Sequence, residues 1–310
     1  MEERTFETGA KPPFRLDLTA WALRRRPGNA VDRWDGRTYR RVVALGDTLA
    51  ELAATQSGPP QRPRLTVSLR GPRLGTDAER AARAMLARLL GLDLDLSAFY
   101  RLAARDSFLA PLAGRYRGLK PPRLPTLFEC LVNAIACQQL TLTVGILLLN
   151  RLAEAFGASL ERAGGHAFPE PAVLAALEPQ ALRPLGFSGA KARSVVELAE
   201  AAVGGALDAD AIEPLEDEAA LRALTRLRGI GRWSGEYALL RGLGRLHVFP
   251  GDDVGARNNL ARRLGVPGPL DYAAVRQVVR PWQPFAGLVY FHLLLASLAE
   301  RGLLDQPERP

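Results

Sequence analysis

Two features of this 310-residue chain have residue types and spacing suited to chemistry, and both lie between Leu224 and Asn259, LTRLRGIGRWSGEYALLRGLGRLHVFPGDDVGARNN. The first is a glycine hairpin in which Gly229 and Gly231 bracket Ile230. Glycine tolerates positive φ and close backbone approach. A helix starting directly after such a turn leaves its first amides unpaired and pointing outward. They form a concave donor site able to hold a phosphate without reading sequence. Ile230 is the apolar plug that sets the angle between the flanking helices. Taken alone, the motif reads more readily as a plain corner between two helices. The second feature is the adjacent pair Asp252 and Asp253. Asp before a helix is ordinarily an N-cap. The two side chains point in different directions and only one need cap, which leaves the other free to present its charge.

The flanking pattern supplies the elements that position these groups. Leu221, Leu224 and Leu227 recur at helical spacing and carry a helix into the hairpin. Trp233, Tyr237 and Leu240, at i, i+4 and i+7, share one face of a second helix. Pro250 and Gly251 break the chain before the carboxylates, and a third helix is expected over Val254–Leu264.

LRGIGRWSGEYALLRG followed by FPGDD resembles the helix–hairpin–helix/Gly-Pro-Asp superfamily of DNA glycosylases, and within it the DNA-3-methyladenine glycosylase II type. The resemblance implies that Asp253 is catalytic and that Trp233 and Tyr237 line a base pocket. It places Gln138 in that pocket, with Gln139 or the adjacent Leu140 as the wedge that fills the gap left by a flipped nucleotide. It makes Trp282 and Trp21 candidate aromatic walls, and Gly229, Ile230, Gly231 and Arg232 the contacts to the DNA backbone. It also implies a sodium or potassium ion on the carbonyls of Thr225, Leu227 and Ile230; no other metal or cofactor is expected. Gly251 stands where close relatives have Pro, with Pro250 one place earlier.

The implied reaction is hydrolysis of an N-glycosidic bond through a sugar cation. An anionic Asp253 beside the anomeric carbon would stabilise that charge and could orient or deprotonate water. One carboxylate suffices when the leaving base is already cationic, as alkylated purines are. Such a base also stacks on aromatic rings with roughly 0.5–2 kcal/mol of cation–π attraction. Bifunctional members place a nucleophilic Lys just after the hairpin. Here that position is Trp233, and the chain holds only Lys11, Lys120 and Lys191, so no strand-cleaving activity is expected. The two cysteines, Cys130 and Cys137, cannot ligate a four-thiolate iron–sulfur cluster, which argues against the cluster-bearing branch; both are expected as buried thiols. His166, His247 and His292 form no Ser/His/Asp or HExxH arrangement.

Composition is that of an ordinary globular protein, 47% hydrophobic and 24% charged, with a formal net charge of +8. A basic balance fits a polyanionic partner. Residues 1–75 hold 14 Lys/Arg against 8 Asp/Glu, most of that excess. No run of about 18 apolar residues occurs, so no membrane span is expected. The opening MEERTFETGAK does not read as a signal peptide, and two cysteines suggest a reducing compartment.

Segments Arg37–Leu45 and Arg64–Arg70 alternate as half-buried strands, and a helix follows from Asp77 to about Leu90. Beyond Leu92 the chain reads as helical, with Thr126 and Glu129 forming a capping box ahead of TLFECLVNAIACQQ. Lys191, in a turn the family shares, is read as structural with a phosphate contact as the alternative. A long apolar helix over 286–298 buries Leu288, Phe291 and Leu295. The expected fold is an α+β sheet domain over residues 1–115, followed by a two-lobed, mostly helical glycosylase core over 116–310 with its helix–hairpin–helix at 221–241. The expected partner is double-stranded DNA carrying damaged bases, met by a cytoplasmic monomer that is nucleoid-associated if the source is bacterial. Two other readings stay open: a glycosylase for hypoxanthine, uracil or an oxidised purine, and a non-catalytic damage-binding protein. Asp253→Asn separates the last from an enzyme, because a pure binder is indifferent to it.

Overall fold

The structure, a computed structural model, describes residues 1–160 and 164–304. The chain opens with β1 (Glu2–Gly9), α1 (Leu16–Arg24), β2 (Arg33–Trp34), β3 (Thr38–Leu45), β4 (Thr48–Ser57) and β5 (Arg64–Gly71). These strands form one antiparallel sheet in the order β1-β5-β4-β3-β2. Leu65, Val67 and Leu69 alternate into the core from β5, as their period of two requires. The expected helix follows as α2 (Thr76–Leu90), which buries Ala82, Leu86 and Leu89.

Next come α3 (Ser97–Ala103), α4 (Leu109–Arg115), α5 (Leu127–Cys137), α6 (Leu142–Phe156), the short pair β6 (Ser159–Leu160) and β7 (Gly165–His166), α7 (Pro171–Ala175), α8 (Gly189–Val203), α9 (Ala209–Ile212), α10 (Asp217–Thr225), α11 (Arg232–Arg241), α12 (Val254–Leu264), α13 (Tyr272–Val279) and α14 (Ala286–Glu300). The protein is therefore a small antiparallel sheet joined to a mostly helical body. Among the described residues no single helix is long and apolar enough to cross a membrane.

The hydrophobic cores do not follow a single cut at residues 115/116. One core joins Phe6–Leu119 to residues from Leu240 to Leu298, so α12–α14 return to close over the sheet lobe. The other is built between Leu124 and Leu243, from α5 to α11. The segment carrying Asp252 and Asp253 therefore runs from the second lobe back to the first. Leu288, Phe291 and Leu295 are buried on α14, as their spacing predicts.

Part of the basic N-terminal segment is consumed inside the protein, while Lys11, Arg37, Arg62, Arg64, Arg70 and Arg73 stay exposed. Arg41 is 1% exposed and pairs with both Asp32 and Glu129. Arg33 pairs with Glu51, Arg40 with Asp35, and Arg24 and Arg25 are buried. Half of the expected capping box is present. Thr126 accepts from the Glu129 amide at 3.0 Å, but the Glu129 side chain turns to Arg41 instead of back to the cap. Cys130 is buried whereas Cys137, at the end of α5, is only half-buried.

His292 sits fully inside α14, its Nδ1 donating to the Leu288 carbonyl at 2.9 Å and its Nε2 without a partner. Burial lowers its pKa from 6.5 to about 4. The unfolded chain therefore binds a proton near pH 6.5 that the folded chain refuses until about pH 4. Stability from this group is complete above pH 6.5 and falls as pH drops towards 4, by about 3 kcal/mol in total. His292→Leu is expected to flatten the fall in unfolding free energy over that window, measured by urea titration at successive pH values. Equal slopes in the two proteins would contradict the assignment.

Candidate active site

The hairpin forms as its sequence requires. Gly229 adopts φ +78°, and a Cβ there would lie 2.5 Å from the Ser194 hydroxyl oxygen on α8. Ile230 is 5% exposed and plugs the core between α10 and α11. Gly231 is the N-cap of α11, and a Cβ on it would meet open space. The first helical bond returns from the Gly235 amide to the Gly231 carbonyl at 2.9 Å, so the amides before it face outward. The two glycines thus serve different ends. Gly229→Ala is expected to cost about 2 kcal/mol of stability through its left-handed φ and the clash with α8. Gly231→Ala is expected to leave stability within about 0.5 kcal/mol while weakening duplex binding, since only a ligand crowds that position. Thermal melts and duplex titrations of both variants check this.

Around the turn into the hairpin, the Leu227 carbonyl accepts from the Ile230 amide at 3.1 Å, and the Thr225 hydroxyl donates to the carbonyls of Leu221 and Arg222. Each carbonyl oxygen carries two lone pairs. The Thr225, Leu227 and Ile230 oxygens are thus hard ligands of the kind a monovalent cation takes.

Downstream of α11, one carboxylate does two jobs. Asp253 caps α12 through Oδ1, which accepts from the Ala256 amide at 2.8 Å. Its Oδ2 accepts from the Trp233 indole Nε1 at 3.2 Å and from the Tyr290 hydroxyl at 2.9 Å. The side chain is half-buried, and the next residue, Val254, is 59% exposed, so the carboxylate lies at a rim open to solvent. Asp252 points elsewhere and pairs with Arg232 at 2.8 Å. The geometry therefore distinguishes the two acids, and the one held among rings is Asp253.

Those rings come from two pairs, and one ring of each pair bonds Asp253 Oδ2. Trp233 and Tyr237 lie with centroids 5.7 Å apart, and Tyr290 packs edge-on against Phe249 at the same distance. Burial, followed by the Asp253 charge, raises the Tyr290 pKa well above that of a free phenol, so it stays a donor. Tyr290 escaped the sequence reading because α14 is apolar on every side and no period singles it out. The available signal was chemical: a buried Tyr hydroxyl usually has a partner.

The loop is braced from α11. Glu236, 6% exposed, accepts from the Gly251 amide at 3.1 Å and from the Tyr272 hydroxyl at 2.6 Å. Burial raises its pKa, against the pull of those two bonds. A Cβ on Gly251 would sit 2.7 Å from the Tyr272 ring. That explains glycine here: Pro would lack the amide that reaches Glu236 and would collide with the ring.

The remaining sequence candidates separate. The Gln138 Nε2 donates to the Gly229 carbonyl at 2.7 Å and the Ser234 hydroxyl at 2.9 Å, so it ties the end of α5 to the hairpin and its amide hydrogens do not face a pocket. Gln139 is exposed with φ +54°, a strained conformation of the kind found at functional sites. Leu140 beside it is 43% exposed. Lys191 donates to the carbonyls of Ala136 and Gln138, which caps α5 and occupies its charge. Arg232 reaches solvent while stacking on Tyr272 at 3.9 Å.

Trp282 is not brought to Asp253. It is 4% exposed, stacked on Phe108 at 5.1 Å, with its indole donating to Asp106 at 2.9 Å. Trp21, 3% exposed, is likewise core and faces a small cavity shared with Leu18, Arg115 and Tyr116. Both depart from the expected aromatic walls because their rings are held elsewhere, Trp282 by Phe108 and Asp106 ahead of α4 and Trp21 beside Arg115 and Tyr116. The α1 segment does reach the aromatic cluster, through Arg25. Its Nη1 donates to the Tyr237 hydroxyl at 3.0 Å and its Nη2 to the Asn133 side-chain carbonyl.

Comparison with known proteins agrees with this architecture. Residues 132–284 match the family described as HhH-GPD superfamily base excision DNA repair protein. The chain is 28% identical over 284 residues to DNA-3-methyladenine glycosylase 2 of Escherichia coli strain K12, covering 91% of this chain and 94% of that one. The 3-methyladenine DNA-glycosylase from Archaeoglobus fulgidus superposes with a TM-score of 0.81 at 26% identity, over 96% of this chain and 98% of that chain. The Schizosaccharomyces pombe 3-methyladenine DNA glycosylase, solved with abasic DNA, gives a TM-score of 0.56 at 28% identity over 64% of this chain and 96% of its own. A hairpin with outward amides, a ring-held aspartate at a rim and these likenesses place the chain in the helix–hairpin–helix/Gly-Pro-Asp superfamily of base excision DNA repair proteins, as a member of its DNA-3-methyladenine glycosylase II type.

Proposed function

We propose that the chain binds double-stranded DNA through the Gly229–Arg232 hairpin and the Gln139–Leu140 loop, receives a flipped alkylated purine beside Trp233, and hydrolyses its N-glycosidic bond. The observation that carries this reading is the Asp253 carboxylate, capped on Oδ1 by its own helix and aligned on Oδ2 by Trp233 and Tyr290. A group held on both oxygens needs little reorganisation as positive charge develops on the sugar, which is the basis of electrostatic stabilisation. Trp233 stacks the base, and Gln139 or Leu140 fills the gap it leaves. A sodium or potassium ion on the Thr225, Leu227 and Ile230 carbonyls would add a positive charge beside the phosphate seat.

The same reading includes no strand cleavage. Schiff-base chemistry needs a free amine near the anomeric carbon. The Lys120 ammonium donates to the Leu94 carbonyl at 2.5 Å, Lys191 is engaged on α5, and Lys11 lies in the segment after β1. Release of free alkylpurines from methylated duplex DNA, leaving abasic sites that nick only on later alkaline treatment, tests both parts. Base retention in the duplex would reject the glycosylase reading, and immediate nicking would reject the monofunctional one.

A further inference from the structure

The helix that Asp253 caps carries an arginine with nothing to hold. Arg257 lies four residues after Asp253, one turn along α12 and on the same face. Its neighbours on that helix are occupied: Arg262 pairs with Glu300 at 2.7 Å, and Arg263 donates to the Asn259 side chain at 2.7 Å. Arg257 makes no hydrogen bond or ion pair among the described residues, and its Nε is buried without a partner. Arg25, Arg41 and Arg241 also keep a buried Nε without a partner, but each is anchored through its Nη groups, on Tyr237, Glu129 and the Ala22 carbonyl respectively. Arg257 has no such anchor.

A long side chain on a helix leans back over the turn before it. For Arg257 that turn is the rim beside Asp253, where Val254 and Gly255 are exposed. Asp253 does not neutralise it, because Oδ1 is taken by the Ala256 amide and Oδ2 by Trp233 and Tyr290. The Arg257 stem and Nε are thus sunk in the protein, while its Nη groups are not buried and keep every donor open. The Val254 and Gly255 amides, at the same rim, also have no acceptor among the described residues. A half-buried guanidinium without a partner disfavours the isolated fold and calls for an outside acceptor. A guanidinium next to helix-start amides is a donor set suited to phosphate.

We propose that Arg257 binds a phosphate flanking the flipped nucleotide and so pins its sugar over Asp253. The proposal rests on the glycosylase reading of the Asp253 site. A phosphate drawn to this rim is repelled by the Asp253 carboxylate. The guanidinium offsets that repulsion without bonding the carboxylate, whose charge stays available to the sugar. A nucleotide still stacked in its duplex does not bring its own backbone to this rim, so the contact belongs to the extruded strand. It is a second phosphate contact, made by a different element from the hairpin.

The test measures binding to duplexes carrying a tetrahydrofuran abasic analogue, with the phosphates around it replaced one at a time by neutral methylphosphonates. The wild type is expected to lose at least about ten-fold in affinity when the contacted phosphate is neutralised. Arg257→Met is expected to bind the unmodified abasic duplex at least about ten-fold more weakly, to lose no more than about two-fold at that same phosphate, and to show a salt slope shallower by about one. Its affinity for an undamaged duplex is expected within about three-fold of wild type, and Arg257→Lys, which keeps the charge but not the fork, is expected between the two. Met fills the buried stem, and an unaltered response at the phosphates the hairpin holds shows in each titration that the variant is folded. If wild type and Arg257→Met respond alike at every flanking phosphate and share one salt slope, Arg257 holds no phosphate and the proposal falls. An equal loss on the undamaged duplex would overturn the assignment to the flipped nucleotide. In either case, release of alkylpurines by the wild type would leave the glycosylase reading standing; release of no base would remove that reading and the role of Arg257 with it.

Discussion

Asp253→Asn is expected to slow alkylbase release at least about 100-fold while duplex affinity stays within about three-fold. The substitution is close to the smallest that removes the charge. Asn retains an oxygen for the Ala256 amide, now 2.8 Å from Oδ1, so the α12 cap survives. Its amide nitrogen then meets two donors, Trp233 Nε1 and the Tyr290 hydroxyl, where Oδ2 stood. The Tyr290 hydroxyl can rotate to accept; the indole cannot. One unpaired indole N–H costs about 1–3 kcal/mol of stability, far short of unfolding a domain of this kind. Lost activity would therefore be lost chemistry. Asp252→Asn is the matched control. It breaks only the pair with Arg232, whose side chains are 29% and 52% exposed, and such pairs contribute about 0–1 kcal/mol. Its release rate is expected within about three-fold of wild type. If Asp252→Asn were the damaging change and Asp253→Asn the mild one, the roles would be exchanged. If neither slowed release, the site would lie elsewhere.

How much of this was legible in the sequence depended on whether a local pattern or a long-range partner decided the outcome. The hairpin, the helix carrying Trp233 and Tyr237, and the aspartate segment are set by Gly, Pro and apolar spacing, and they appear where the sequence puts them. The sheet was half legible. β3 and β5 alternate visibly, but β4, TLAELAATQS, is rich in helix-forming Ala, Leu and Glu. It is a strand because β3 and β5 pair with it on both sides, so tertiary context overrides propensity. β1, with only Phe6 buried, gave almost no hydrophobic signal.

The site shows the same division. A tryptophan's identity does not say what faces it: Trp233 meets a carboxylate of the site, whereas Trp282 meets Asp106 and Trp21 the apolar core. Tyr290, Glu236 and Arg25 reach the site from 37, 15 and 212 residues away along the chain from their partners, and no spacing rule reports such pairings. The N-terminal charge excess is divided in the same way: Arg24, Arg25 and Arg41 are buried, whereas Lys11, Arg37, Arg62, Arg64, Arg70 and Arg73 stay exposed. Counting Lys and Arg cannot separate residues waiting for phosphate from residues already paired inside.

Arg41 is the clearest of those internal cations, and removing it is expected to have the largest effect on stability of any single change considered. From β3 it donates to Asp32 at 2.7 Å and to both Glu129 oxygens at 2.5 and 2.6 Å, with all three side chains at most 5% exposed. Tyr39 adds a bond to Asp32 at 2.7 Å. Glu129 starts α5, whose far end carries Gln138 and the Gln139–Leu140 loop, so this cluster joins the sheet lobe to the helix that supports the DNA face. Burial raises the Glu129 pKa while Arg41 pulls it down. Arg41→Met removes the opposing pull and leaves two carboxylates in apolar surroundings, a loss of about 3–5 kcal/mol. At roughly 2 °C per kcal/mol for a chain of this size, the melting temperature should fall by about 6–10 °C. The sign of the pH response identifies the cause. With Arg41 gone, the folded state holds Glu129 protonated more readily than the unfolded chain does, so acidification favours the folded variant. The stability gap to wild type should therefore narrow as pH is lowered from 7 to 5, and Glu129→Gln added to Arg41→Met should recover part of it at neutral pH. A gap below about 1 kcal/mol, or one that stays constant with pH, would show that Arg41 acts by packing alone and that the buried charges are not what holds the lobes in register.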